Sequence, residues 1–163
     1  MTSSARRSPR SISVLGPSAA VLVLAAAGCS PGAAQPSVPV PAPSPEAAAY
    51  CEALDRELPG TVLDRERTDP SPDSALTAGW GDGAIVLRCG VPRPAKMDDP
   101  QAEAVEADGV NWMLEQPEGS GPRFTTTYRK AYVEVTFSEE YAMDITPLSA
   151  FAGPVARTVP DRL

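Results

Sequence analysis

The chain holds few of the side chains on which catalysis usually rests. It has no histidine, which removes Ser-His and Cys-His nucleophile pairs, His-ligated zinc and imidazole acid-base chemistry. Its lysines are Lys96 and Lys130, and neither has a serine three residues before it, so a Ser-Lys dyad is unsupported. Cys51 and Cys89 lack the C-x-x-C spacing of a redox site. Asp98-Asp99 and Glu139-Glu140 are paired acids, but a two-carboxylate glycosidase needs separated carboxyls in distinct environments, and adjacent acids in loops are usually solvated. Asp64, Glu66, Asp69 and Asp73 offer oxygens that could suit Ca²⁺, yet they lack EF-hand spacing and are interrupted by Arg65, Arg67 and Pro70. No catalytic residue, metal ligand or cofactor is assigned.

Binding chemistry has better support. Gly79-Trp80-Gly81-Asp82-Gly83 precedes a strand rather than joining a strand to a helix, so it reads as a tight turn, not a phosphate loop. Trp80 within it is either a sugar-stacking platform or an aromatic packed on the sheet edge. Strand alternation would display Arg88, Thr125, Thr127, Tyr132, Glu134 and Thr136 together on one sheet face. The candidate binding surface is therefore Trp80, Arg88, Arg93, Tyr132 and Glu134, with a simple cross-strand pair as the alternative role for Arg88 and Glu134.

The elements that would position these residues follow from periodicity. Ser44-Pro45-Glu46 is an N-cap, a first-turn proline and a first-turn acid, opening a helix that should end at Pro59-Gly60. Its apolar face is Ala47, Tyr50, Cys51, Leu54 and Leu58, which turns Cys51 inward. Ala84 to Cys89 alternates as a strand with Ile85, Leu87 and Cys89 on one side. Ala102–Ala107 and Val110–Glu115 flank Asp108-Gly109, a strong hairpin signal. A second hairpin spans Arg123–Tyr128 and Ala131–Phe137, with Val133, Val135 and Phe137 facing one way and Tyr132, Glu134 and Thr136 the other. Thr146-Pro147 can open a second helix carrying Leu148, Phe151 and Val155, which Gly153-Pro154 would kink or shorten. The predicted fold is α+β: an antiparallel sheet of about four to five strands, one face wet, with one or two helices on the other.

The N-terminus reads as an export signal. Arg6, Arg7 and Arg10 precede an apolar run from Ile12 to Ala27, too short and too interrupted by Gly16-Pro17 for a spanning helix. The run ends Leu24-Ala25-Ala26-Ala27-Gly28-Cys29, which resembles a bacterial lipobox in which the cysteine is acylated and becomes the new N-terminus. Ala26 stands where that motif usually has Leu, so an ordinary signal peptide cleaved near Ala27 is the alternative. The expected organisation is a signal peptide over 1–28, a lipidated Cys29 with a Pro-rich tether over 29–45, and one domain over 46–163. In a polyproline II conformation the tether would reach about 50 Å. A Pro-rich ligand for a partner's aromatic groove is its other reading.

Removing the leader leaves 11 basic against 21 acidic residues, a net charge of −10. Nucleic acid is then an unsuitable partner, and an anionic membrane surface would repel the domain, so a lipid would have to do the anchoring. With Cys29 acylated, Cys51 and Cys89 remain as an even pair, which an oxidising exterior would join; two free buried thiols are the alternative.

Several segments resemble a family of actinobacterial envelope lipoproteins known as domain of unknown function 3515. They are Tyr50-Cys51-Glu52-Ala53-Leu54, Trp80-Gly81, Ile85-Val86-Leu87-Arg88-Cys89-Gly90-Val91-Pro92-Arg93-Pro94, Gly109-Val110-Asn111-Trp112, Phe124-Thr125-Thr126 and Tyr132-Val133-Glu134-Val135. The resemblance covers Tyr50 to about Leu148. It implies an address at the extracytoplasmic face of the cell membrane and supports the cysteine pairing, but carries over no activity. The resulting expectation is a non-enzymatic module, held to the membrane by its lipid, that binds an envelope protein or a cell-wall component. A small envelope enzyme using carboxylates with Arg88 or Arg93 is the competing expectation.

Overall fold

The computed structural model describes residues 35–142 and 144–162. The expected leader and the acylation site at Cys29 lie outside the described residues. No helix among those described is long and apolar enough to cross a membrane.

Helix α1 runs Pro45–Glu57 and opens as its sequence demands, with the Ser44 hydroxyl accepting from the Ala47 amide at 3.3 Å and Pro45 in the first turn. A two-strand hairpin, β1 Thr61–Val62 and β2 Arg65–Glu66, follows. The remaining strands are β3 Thr77–Trp80, β4 Ile85–Val91, β5 Ala104–Ala107, β6 Val110–Glu115, β7 Arg123–Thr126 and β8 Tyr132–Phe137. They form one six-stranded sheet in the order β3-β4-β8-β7-β6-β5, every neighbouring pair antiparallel. The fold is thus α+β as expected, but with six strands in the main sheet and a separate hairpin rather than four to five strands. The missed strand is β3: the Gly79-Trp80-Gly81 run looked like a turn, whereas Trp80 ends a strand and the turn begins at Gly81.

A single three-residue helical turn at Thr146–Leu148 leads into helix α2, Ser149–Thr158. Gly153-Pro154 does not end it. Proline lacks only one amide, and burial of Phe151, Ala152 and Val155 outweighs that loss. Both helices lie on one sheet face, where Ile85, Leu87, Cys89, Trp112, Phe124, Val133, Val135 and Phe137 join Leu54 and Phe151 in a continuous core. Cys51 on α1 and Cys89 on β4 form a disulfide, with Cα atoms 5.5 Å apart.

Two segments depart from the sequence reading. Residues 36–43, expected within a free tether, are seated on the domain. The Val38 amide donates to the Ser71 carbonyl at 3.0 Å, the Ser71 amide donates to the Pro36 carbonyl at 3.0 Å, and Val38 is buried. Pro43 sits over Gly90, which has a positive φ in a bulge of β4; a Cβ at that glycine would lie 2.6 Å from the proline ring. The other departure is the connection from β4 to β5. β4 is second in the sheet and β5 is at the far edge, so residues 92–103 must pass over β8, β7 and β6. They do so on the face opposite the helices, and the face expected to be wet carries Met113 and Thr125 almost wholly buried.

The disulfide closes a sequence separation of 38 residues, which in the chain-entropy picture stabilises the fold by about 4 kcal/mol. Replacing both cysteines by serine is expected to lower the unfolding free energy by that amount, read from urea unfolding, and reductant should shift the midpoint of the natural chain but not of the double variant.

Candidate functional site

The face opposite the helices carries several concavities beside the crossing segment, and two of them hold the residues expected at the site. One, of about 430 Å³, lies along β4 and β8 and is walled by the β6–β7 loop at Gly119-Ser120-Gly121 and by Val38-Pro39. Sequence alternation places its floor: Arg88 on β4 is the register partner of Glu134 on β8, which in turn is the partner of Thr125 on β7, while Arg123 is the partner of Thr136. Gly121 is required for this wall to approach. A Cβ there would overlap the Phe137 carbonyl and the backbone of Ser138.

Three charges meet on that floor. The Arg88 guanidinium reaches one carboxylate oxygen of Glu134 with two nitrogens, Nε at 2.8 Å and Nη2 at 2.7 Å. The other oxygen, Oε2, lies 3.7 Å from Nε of Arg123, beyond hydrogen-bond reach. The Glu134 side chain is 8 % exposed and that of Arg123 38 %. Arg123 Nε is buried with no hydrogen-bond partner among the described residues, and so is the hydroxyl of Thr125, two residues on along the strand. Two cations therefore face one carboxylate, and only one of them is hydrogen-bonded to it.

The second concavity, about 400 Å³, lies under the crossing segment and between its Met97 and the sheet's Met113, with Arg93, Tyr132 and Arg162 around it. Arg93 is occupied by Asp98 at 2.8 Å and by the Met97 carbonyl at 3.2 Å. The crossing segment is pinned by its own charges. Lys96 donates to Asp99 at 2.6 Å, and the second Asp99 oxygen accepts from the Gln101 amide at 2.9 Å. These contacts, the Lys96 ammonium first, hold the Asp99 carboxyl below the usual carboxylate range.

The five residues expected to share a binding surface are dispersed. Arg88 and Glu134 are together in the first concavity; Arg93 and Tyr132 belong to the second. Trp80 is on neither. It is fully buried on the helix side, its ring 5.0 Å from that of Phe151 and its Nε1 donating to the Pro59 carbonyl at 3.0 Å, so it cannot serve as a sugar platform. Arg123 was missed as a site residue although the alternation that placed Thr125 also places it on the same face. Among the acids weighed for Ca²⁺, Asp69 is engaged by Arg67 at 2.7 Å.

Two outcomes follow. Arg88→Ala leaves the Glu134 charge without its partner and should cost about 2 kcal/mol, less than a fully buried pair because Arg88 is about a quarter exposed; adding Glu134→Gln should recover much of that loss in urea unfolding. Because the Asp99 pKa is lowered on folding, its contribution is complete above its unfolded value near pH 4 and is lost as pH falls through the folded one. In a carbon-13 carboxyl titration, Lys96→Met should move the Asp99 midpoint upward.

Comparison with curated proteins and with solved structures finds no match to this chain. A family model does match, over residues 14–163. The chain belongs to the family described as protein of unknown function, DUF3515.

Proposed function

We propose that the chain is a lipid-anchored extracytoplasmic module of an actinobacterial cell envelope, and that it binds an envelope component in the concavity along β4 and β8 without transforming it. The observation that carries the binding reading is the arrangement on the floor of that concavity, where Arg88 and Arg123 both face the carboxylate of Glu134 while Glu139 stands in the wall. Arg88 is hydrogen-bonded to Glu134, whereas Arg123 pairs with it only at 3.7 Å and so keeps hydrogen-bonding capacity that a ligand can use.

The address rests on the leader and the lipobox-like Ala26-Ala27-Gly28-Cys29. The Cys51–Cys89 disulfide suits an oxidising compartment, and the net charge of −10 expected after cleavage makes an acyl chain, rather than charge, the means of attachment. Intact-mass measurement on protein extracted from membranes in detergent tests this. The expected species begins at Cys29, carries the mass of its acyl chains and takes up alkylating reagent only after reduction. An unacylated species that begins upstream or downstream of Cys29 and is recovered without detergent would overturn the anchor.

A further inference from the structure

The concavity along β4 and β8 offers more than a positive charge. Arg123 contributes a guanidinium with no hydrogen-bond partner at Nε. The Glu134 Oε2 atom 3.7 Å away accepts none of the hydrogen bonds found among the described residues, because Arg88 directs both of its nitrogens at Oε1. A cationic donor and an anionic acceptor thus stand side by side with a spacing that does not let them satisfy one another; Nε of Arg123 is buried, and the side chain, 38 % exposed, meets the concavity through the rest of its guanidinium. The group that completes both carries a carboxylate and an N–H donor on the same carbon. That is the chemistry of the last residue of a peptide: its terminal carboxylate would lie on the Arg123 fork and its own N–H would point at Oε2 of Glu134.

Other small anions fit less well. Phosphate would bring two charges to one free guanidinium and set them against Glu134, and would supply no donor for Oε2. A lone carboxylate such as acetate would leave Oε2 unanswered. The walls agree with a peptide end. On one side Gly119 and Gly121 present backbone rather than side chains, and on the other Val38 and Pro39 give an apolar rim. A volume of about 430 Å³ is near the lower end for ligand pockets and admits a few residues, not a long segment.

We infer that Arg123 and Glu134 recognise the C-terminal residue of a short peptide that keeps its free carboxylate, with Arg88 as the positioning residue that holds Glu134. This names the ligand class of the site in the proposed function and rests on that reading. Calorimetric titration of the full chain in detergent, with acetyl-Ala-Ala bearing a free carboxylate as probe, tests it. Saturable binding is expected, at least tenfold weaker for the C-terminal amide of the same peptide and undetectable for inorganic phosphate. Arg123→Ala should weaken the free acid at least tenfold, Arg123→Lys by less, and Glu134→Gln by several-fold. Arg157→Ala, which breaks an ion pair to Glu57 on the helix side, should change nothing. Urea midpoints for each variant separate lost binding from lost folding. Equal affinity for acid and amide, unchanged affinity in folded Arg123→Ala, or no binding of the free acid would overturn the assignment. To keep that failure apart from failure of the site itself, envelope components are crosslinked to the natural chain and to Arg88→Ala/Arg123→Ala in intact membranes. Crosslinks lost in the variant while the peptide fails to bind would reject this ligand class and keep the site. Crosslinks unchanged in the variant would reject both.

Discussion

Between the end of β4 and the start of β5 the chain has to cross three strands of its own sheet. With neighbouring strands about 4.8 Å apart, four strand spacings come to about 19 Å, and residues 92–103 cover that distance on the face the helices leave open. Much follows from this one passage. The β5-β6-β7-β8 meander can return and close against β4 only because its first strand is laid down at the far edge. The passage also buries Met113 and Thr125 on a face whose alternation reads as solvent-facing, and it separates the concavity holding Arg88, Arg123 and Glu134 from the one beneath Met97. The helix layer is tied to the same strand from below, since Cys89 of β4 bonds to Cys51 of α1.

Local chemistry was readable and long-range order was not. Ser44 and Pro45 mark the start of α1, and its end at Glu57 comes just ahead of Pro59-Gly60, because caps and prolines act within a few residues. Strand parity sorted Val133, Val135 and Phe137 from Glu134 and Thr136 without error, since a pleat leaves no choice. The inward direction of Cys51 and Cys89 followed from the same two periods. The segment of Trp80 reads as a turn because three glycines nearby carry that signature, whereas it ends the edge strand β3; of the two readings of its ring, packing on the sheet edge is the one found, through Phe151 and Pro59, which are distant in sequence. Pro36 to Pro43 look like a spacer by composition. Their docking depends on a bridge to Ser71 and on the open space above Gly90, neither of which a local pattern reveals. Parity also supplied the cross-strand pair of Arg88 with Glu134, which the structure contains, and Arg123 was within reach of the same reasoning.

That triad carries an energetic asymmetry. Arg88 and Glu134 meet at good distances and satisfy the requirement that a largely buried carboxylate be paired. Arg123 adds positive charge and a buried Nε with no acceptor, which burial makes costly. Local violations of this kind are where recognition tends to be found; Trp112 Nε1, buried away from this concavity, is a further unpartnered donor among the described residues. The Thr125 hydroxyl, buried two residues from Arg123 on the same strand and also without a partner among the described residues, extends the violation along β7.

The docking of Pro36–Pro43 also sets a leash. Seven residue steps separate Cys29 from Pro36, and a fully extended chain covers at most about 3.6 Å per step, or about 25 Å. An acylated Cys29 would therefore confine the domain to a thin shell above the bilayer, half the depth that a free Pro-rich tether allows. Confinement acts as concentration: a receptor held within that shell meets membrane-proximal ligands at an effective level far above their bulk value, and ligands farther out not at all. Since Val38 and Pro39 form part of the rim of the concavity along β4 and β8, the strap that would shorten such a leash also builds one wall of the proposed site, and in that reading reach and recognition would not be altered independently.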